Sequence, residues 1–413
     1  MKKAVIVSAV RTPIGRYMGM LKDIPAYDLG ALVLNEAVKR TGLDPGQVDE
    51  VILGQAYQNG DYVNIARMSL LKAGWPESIP GITLDRRCCT GLDVICSAAM
   101  AIQSGHSEII VAGGVESMSS AEFFLPGEVK WGIGGKKGIP RGHGDLSLWG
   151  IPLYDRIQRA RVMSQPEERY GILPTMMSWA ETAAKEEKIS REDCDRWALE
   201  SHQKACQAME SGKFREEIVP VPVSQAKGKI TLIEQDETPR PDTTLEQLSK
   251  LSPVLGGVCT AGNSSSENDG AAACVIIAEE KAKALGLKPL ASIKEFAVAG
   301  LDPRFTYKAV DIAVRKILDK TGLKLEQMDL IEIQEAFAAQ VLADLKMLGI
   351  SQKDYSRINV NGSGISLGHP IACTGTRVMV TLIHEMKRRG SHYGLETICG
   401  GGGLGIAAIF ESQ

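Results

Sequence analysis

None of the nine cysteines forms a Cys-x-x-Cys pair. That removes the usual zinc ribbon and the thioredoxin-like redox motif, and no metal site is expected. An odd cysteine count in a long chain also argues against a disulfide framework and for a reducing compartment, the cytoplasm. No apolar run nears bilayer length; Ala271 to Ala278 is among the longest, so no membrane span is expected. The start, Met1-Lys2-Lys3-Ala4-Val5-Ile6-Val7, lacks the apolar region and cleavage site of a signal peptide and reads as a first strand. A formal net charge of −3 gives no electrostatic footprint for nucleic acid.

What remains is an ordinary globular composition, 44% apolar and 23% charged over 413 residues. That length suits two or three domains or one large duplicated core. The most unusual local feature is Cys399, followed by Gly400-Gly401-Gly402-Gly403-Leu404-Gly405. The run matches Gly-x-Gly-x-x-Gly, but a nucleotide fingerprint needs a helix and a further strand after it. Residues 406–413 leave no room for both. The glycines are therefore expected to serve the sulfur, giving a substrate close access to bare backbone.

The chain also repeats itself. Thr41-Gly42-Leu43 through Gln47 and Asp49 to Ala56 matches Thr321-Gly322-Leu323 through Gln327 and Asp329 to Ala336, at an offset of 280. Each copy reads as a helix end, a turn and a buried strand, Val51 to Leu53 and Ile331 to Ile333. A second match, Cys89-Thr90-Gly91 with Val94 against Cys373-Thr374-Gly375 with Val378, has an offset of 284. Both open apolar helical patterns, each followed by a strand, Ile109 to Ala112 and Thr397 to Cys399. Two βα-rich halves packed together are expected. Between them, from about Ala121 to Asn263, the chain is rich in proline, glycine and charge, as in Gly132 to Gly144. Helix is expected from Met176 to Lys188 and again after Ser190, where Asp193 completes a capping box. A long irregular insert of this kind suits a functional, lid-like subdomain.

Four places carry chemistry. Arg86-Arg87-Cys88-Cys89-Thr90-Gly91 puts a thiol beside arginines at a helix start, which favours the thiolate; a small buried residue under the helix is the plain alternative. Asn361-Gly362-Ser363-Gly364 and Gly368-His369-Pro370 precede the other repeat's helix. If a pseudo-twofold axis relates the halves, His369 faces Cys88. His106, His202, His384 and His392 have no such setting, and His143 lies in a glycine-rich loop. The third place is Cys399; the fourth is Gln334-Glu335-Ala336-Phe337, after a buried strand. Two sulfurs and an imidazole suit a reaction in which one sulfur attacks a carbonyl and the other moves a proton. Glycine amides beside it would form an oxyanion hole.

These residues resemble the thiolases, the acetyl-CoA C-acyltransferases, over nearly the full length. The resemblance rests on Arg11-Thr12-Pro13-Ile14-Gly15, the Cys88 segment, Ala112-Gly113-Gly114-Val115-Glu116-Ser117-Met118-Ser119, Thr260-Ala261-Gly262-Asn263, Asn268-Asp269-Gly270-Ala271-Ala272-Ala273, Glu335-Ala336-Phe337, Gly368-His369-Pro370 and Cys399 with its glycines. It implies an α/β fold with a duplicated, five-layered α-β-α-β-α core and an inserted loop domain over coenzyme A. The expected division is 1–120 with 268–290 as the N-terminal half, 121–267 as the loop domain, and 291–413 as the C-terminal half.

The resemblance makes Cys88 the nucleophile, His369 its activator and an oxyanion-hole donor, and Cys399 the acid/base for the α-carbon proton of acetyl-CoA. The amides of Cys88 and Gly401 would form the second oxyanion hole. Gln334 stands where the family has Asn, or His in some long-chain members, in the first. Ser265, Arg240, Met176 and Phe337 fall where the family contacts coenzyme A or the acyl group. Coenzyme A is implied as a substrate, with no prosthetic group, in a homodimer or homotetramer acting on acyl-CoA in fatty acid metabolism. Thr175-Met176-Met177 and Thr306-Tyr307-Lys308-Ala309-Val310 depart from the family pattern in segments expected near the acyl pocket. The alternatives are a ketoacyl-synthase-like condensing enzyme, disfavoured by Cys399, and a non-catalytic or partner-dependent coenzyme-A-binding subunit.

Overall fold

The computed structural model describes residues 2–127, 129, 152–173, 175–224 and 228–413. The Gly132–Gly144 run, with His143, lies outside them. Nine strands form the frame: β1 Ala4–Arg11, β2 Glu50–Gly54, β3 Gly81–Leu84, β4 Ile109–Ser117, β5 Asn268–Ala278, β6 Ala291–Gly300, β7 Leu330–Ile333, β8 Tyr393–Gly400 and β9 Leu404–Ser412. Their order is β7-β8-β9-β6-β1-β5-β4-β2-β3. Only Val5–Ser292 and Ile6–Ala291, paired across β1 and β6, join the two halves of that path. Within each half the plan repeats. β2 runs parallel to β4 as β7 does to β8, and β4 and β8 each pair antiparallel with the next strand in sequence.

The helices used below are α1 Ala26–Lys39, α2 Ile65–Lys72, α3 Thr90–Gln103, α4 Met177–Glu186, α5 Arg191–Glu210, α6 Ala309–Thr321, α7 Ala338–Met347 and α8 Ile371–Arg389. Strand alternation decides which layer each residue joins. Ile110 and Ala112 pack with Leu92 and Ile95 of α3 and with Val380 and Ile383 of α8. Their neighbours Ile109 and Val111 face Leu29 and Val33 of α1 and Ile65 of α2. In the second half Ile398 and Ile406 face α3 and α8, while Leu395 and Ala407 face Val314 of α6 and Val341 of α7. The five expected layers follow: α1 and α2, a sheet, α3 with α8, a sheet, α6 and α7.

The central helices cross backbone against backbone. A Cβ on Gly91 would stand 2.7 Å from the Ala372 carbonyl oxygen and from the Gly375 amide, and one on Gly375 would strike Gly91 and Leu92. Thr376 Oγ1 donates to the Gly91 carbonyl at 2.8 Å. Thr90 opens α3, whereas its counterpart Thr374 lies one turn inside α8.

In the insert, Ser190 and Asp193 form the expected capping box at the start of α5, and α4 ends two residues before Lys188. The insert is tied to the core by Arg11, whose guanidinium is fully buried between Glu217 and Asp236. Among the described residues no helix is long and apolar enough to cross a membrane.

Candidate active site

The close crossing of α3 and α8 brings their leading turns to one cleft of about 530 Å³. Cys88, His369 and Cys399 all line it, as do Met176, Phe337 and Gly401. Cys88 is held in the turn between β3 and α3. Arg87 takes a left-handed φ of 55°, uncommon for a residue with a Cβ, and its amide donates to Asp85 Oδ1 at 2.7 Å. Burial pushes the Cys88 thiol above its ordinary value, opposed by an N–H bond from Gly401 and by the Arg87 charge. The thiolate, once formed, thus already has a donor.

His369 sits on a segment clamped at four points. Ile365 N donates to Glu335 at 3.1 Å, His369 N to Asn268 Oδ1 at 2.8 Å, and Ala372 N to Glu116 at 3.0 Å. Arg377, fully buried on α8, reaches the Gly368 carbonyl at 3.4 Å. The imidazole Nδ1 is 2.7 Å from Thr374 Oγ1. Nε2 has no partner among the described residues. Burial, then the charges of Arg377 and Arg161, pushes the ring down to about 3, so it is neutral at ordinary pH.

Cys399 is the last residue but one of β8, and Gly401 to Gly403 are the turn of a hairpin into β9. No helix follows it, so the nucleotide pattern has no structural counterpart. Gly402 and Gly403 have φ of 88° and 79°, which glycine adopts without strain. Leu301 N donates to the Gly403 carbonyl, and Gly403 N to Thr306 Oγ1. Burial raises the Cys399 thiol well above its ordinary value, with further contributions from Asp344 and Cys88. It stays protonated, the state an acid needs.

Met176 packs its sulfur over Gly401, 3.2 Å from where a Cβ would stand. Phe337 meets Trp179 edge-on at 5.1 Å between ring centres. Ser265 N donates to the Ala336 carbonyl at 2.9 Å, and Arg240, exposed at the rim, donates its amide to His202 Nδ1 at 3.3 Å. Thr175 and Met177 also line the cleft.

Two expected residues stand elsewhere. Gln334 is fully buried against Gly364 and is not part of the cleft wall; neither end of its amide has a partner among the described residues. Tyr307 is buried beneath α4, where its hydroxyl donates to Glu186, so it does not shape the cleft. A 3₁₀ turn carries no periodicity long enough to assign the face of one tyrosine.

Sequence reasoning also assigned no role to Glu116 or Asn268. Glu116 is fully buried and accepts from Ala56 N and Tyr57 N, each at 3.1 Å, as well as from Ala372 N. Asn268 donates to the Gly15 carbonyl at 2.9 Å while holding the His369 amide. Both lie inside motifs quoted above, the only signal the sequence gave for them.

Two family models match: thiolase, N-terminal domain, at residues 4–280, and thiolase, C-terminal domain, at residues 287–412. An acetyl-CoA acetyltransferase of Pseudomonas aeruginosa is 46% identical over 411 residues, 98% of each chain. A beta-ketoadipyl-CoA thiolase of the same organism is 43% identical over 415 residues, 99% of each. The crystal structure of the Bacillus anthracis acetyl-CoA acetyltransferase superposes with a TM-score of 0.91 at 43% identity, covering 100% of this chain and 99% of that one.

Proposed function

This chain belongs to the thiolase family, and from that premise we propose which of its residues carry out the acyl transfer. The enzyme is a thiolase acyltransferase. Cys88 attacks the 3-keto carbon of a 3-ketoacyl-CoA, and His369 Nε2 takes the thiol proton. The bond between C2 and C3 breaks, and Cys399 protonates the leaving carbanion to give acetyl-CoA. Coenzyme A then attacks the Cys88 thioester and releases the shortened acyl-CoA. Run backward, the same steps condense acetyl-CoA with an acyl-enzyme. Ping-pong kinetics follow from the covalent intermediate.

The observation that carries this reading is the Nε2 of a neutral His369, without a partner among the described residues, in one cleft with two protonated thiols. Amides of Cys88 and Gly401 form one oxyanion hole, supported by the Gly401 bond to the Cys88 sulfur. His369 belongs to the other, which Gln334, buried against Gly364, does not line. Arg240, Ser265, Met176 and Phe337 contact coenzyme A or the acyl group, bound as a substrate beneath the 121–267 loop domain. Segments 1–120 with 268–290, and 291–413, are the two catalytic halves. The reading extends to a homodimer or homotetramer in the cytoplasm. Nine free thiols support the reducing compartment.

Cys88→Ala is expected to abolish acyl labelling by acetyl-CoA. Cys399→Ala is expected to label yet fail to condense; a normal condensation rate in that variant overturns the two-sulfur assignment. The two relatives above, 46% and 43% identical, carry names with different acyl groups, so similarity alone does not choose the substrate. A thiolysis screen across chain length is expected to show acetoacetyl-CoA losing to bulkier substrates. A strict acetoacetyl-CoA profile overturns that expectation.

A further inference from the structure

The turn that carries Cys88 sends two consecutive arginines to different fates. Arg86 bonds Asp93 of α3 at 3.0 Å. Arg87, held left-handed between the Asp85 bond and a bond from Thr90 N to its own carbonyl, lines the cleft instead. Among the described residues its guanidinium has no hydrogen bond and no ion pair. Arg87 shares the cleft with Cys88 and Tyr57, one residue from the sulfur, within reach of an acyl chain carried there. The Tyr57 hydroxyl, on a residue only 5% exposed, also has no partner among the described residues.

The one acidic residue lining the cleft among the described residues, Glu267, is already bonded to Arg161 at 2.8 Å. The coenzyme A phosphates cannot be what Arg87 serves. The whole pantetheine arm separates them from the thioester, and Arg240 stands at the rim. A neutral acyl chain filling the cleft would strip water from Arg87 and leave its charge without a counterion, which is costly. A carboxylate on the acyl chain removes that cost and accepts two parallel N–H bonds from the fork.

We propose that Arg87 is the specificity-determining residue of this enzyme, receiving a terminal carboxylate on the acyl chain, with Tyr57 as a second donor. The substrate class is then a short 3-ketoacyl-CoA whose acyl chain ends in a carboxylate. The proposal rests on Cys88 being the acylated residue.

The test is a matched pair: 3-oxoadipyl-CoA against 3-oxohexanoyl-CoA, the same chain with and without the terminal carboxylate. Wild-type kcat/KM is expected to favour the carboxylated member about tenfold to a hundredfold, the range of a charge-assisted hydrogen bond. In Arg87→Met the ratio is expected to fall toward one, whatever the absolute rates. A wild-type ratio at or below one overturns the proposal, as does an unchanged ratio in the variant. A second measurement needs no variant: mass spectrometry of Cys88 labelled by succinyl-CoA or by butyryl-CoA. Faster succinyl labelling supports the proposal, and faster or equal butyryl labelling overturns it. If neither labels Cys88, the nucleophile assignment itself has failed.

Discussion

His369 Nδ1 lies 2.7 Å from Thr374 Oγ1, and that hydroxyl sits 3.0 Å from the Pro370 carbonyl. In the tautomer that the base role requires, the hydroxyl donates to that carbonyl. Oγ1 therefore accepts from Nδ1–H, and Nε2 carries the lone pair. The one-turn lead of α8 over α3 makes this contact, because it places Thr374 inside the helix and beneath the ring. Thr374→Val should release the tautomer and strand a buried N–H, a cost of about 1–3 kcal/mol. Acylation of Cys88 by acetyl-CoA should slow about tenfold or more, with Thr374→Ser restoring much of the rate. Equal labelling rates in wild type and the valine variant would show that the tautomer is set elsewhere.

Glu116 gives the pH dependence. Burial pushes it up to about 7 against the pull of three amide donors. The ionisable groups around it are Tyr57 and Tyr62, Asp85 beyond β3, and Cys373 on α8. Once protonated, its O–H meets groups that themselves donate, and the hold on Tyr57 and on the start of α8 loosens. His369, down at about 3, stays neutral through this range. Acylation should therefore fall as pH drops through about 7. Glu116→Gln, which turns an amide N–H₂ toward a donor, should be slower and lack that inflection. Stability moves the other way. A carboxyl raised on folding favours the folded state below its ordinary range and loses that contribution as pH rises through about 7. An inflection near 7 that persists in the glutamine variant rules Glu116 out as its source.

The duplicated layers were legible because both halves keep short motifs at nearly constant offset, and strand alternation fixes the faces. The meeting of Cys88 and His369 followed from the repeat alone, since related helix starts converge on one axis. Glu116 and Asn268 were not legible as clamps. Their partners lie 256 and 101 residues away, and only the fold makes them neighbours. Arg87 was read merely as charge near a thiol. That it stays unpaired among the described residues while Arg86 does not depends on one left-handed residue.

Gly364 has no side chain because Gln334 fills the space. A Cβ there would strike the Gln334 amide nitrogen and stand 2.9 Å from its Cδ. Gly364→Ala should destabilise by about 1–3 kcal/mol through overpacking. Gln334→Asn, one methylene shorter, should make the alanine tolerable. Urea unfolding of both single variants and the double should then give a coupling energy of about 1 kcal/mol or more, favouring the pair. Additive changes would mean that the two side chains do not share the space.

Arg11 joins the insert to the core. Its Nε donates to Glu217 at 2.7 Å, and its two Nη atoms donate to the two oxygens of Asp236 at 2.7 and 2.9 Å. All three side chains are shut from solvent. Asp236 also accepts from Ile14 N at 2.8 Å, and Thr238 and Arg240 of the cleft follow two and four residues on. Removing the cation would leave two buried carboxylates facing each other, which costs about 3–5 kcal/mol where a buried pair is broken. Arg11→Met should lower the unfolding free energy by that measure, read in urea as a lower midpoint. Arg11→Lys should recover only part of it, because an ammonium cannot match both oxygens of Asp236 while reaching Glu217. If the cluster positions the insert over coenzyme A, the lysine variant should raise KM for coenzyme A more than it lowers kcat. A fall in kcat alone would confine the cluster to stability and leave the binding loop independent of it.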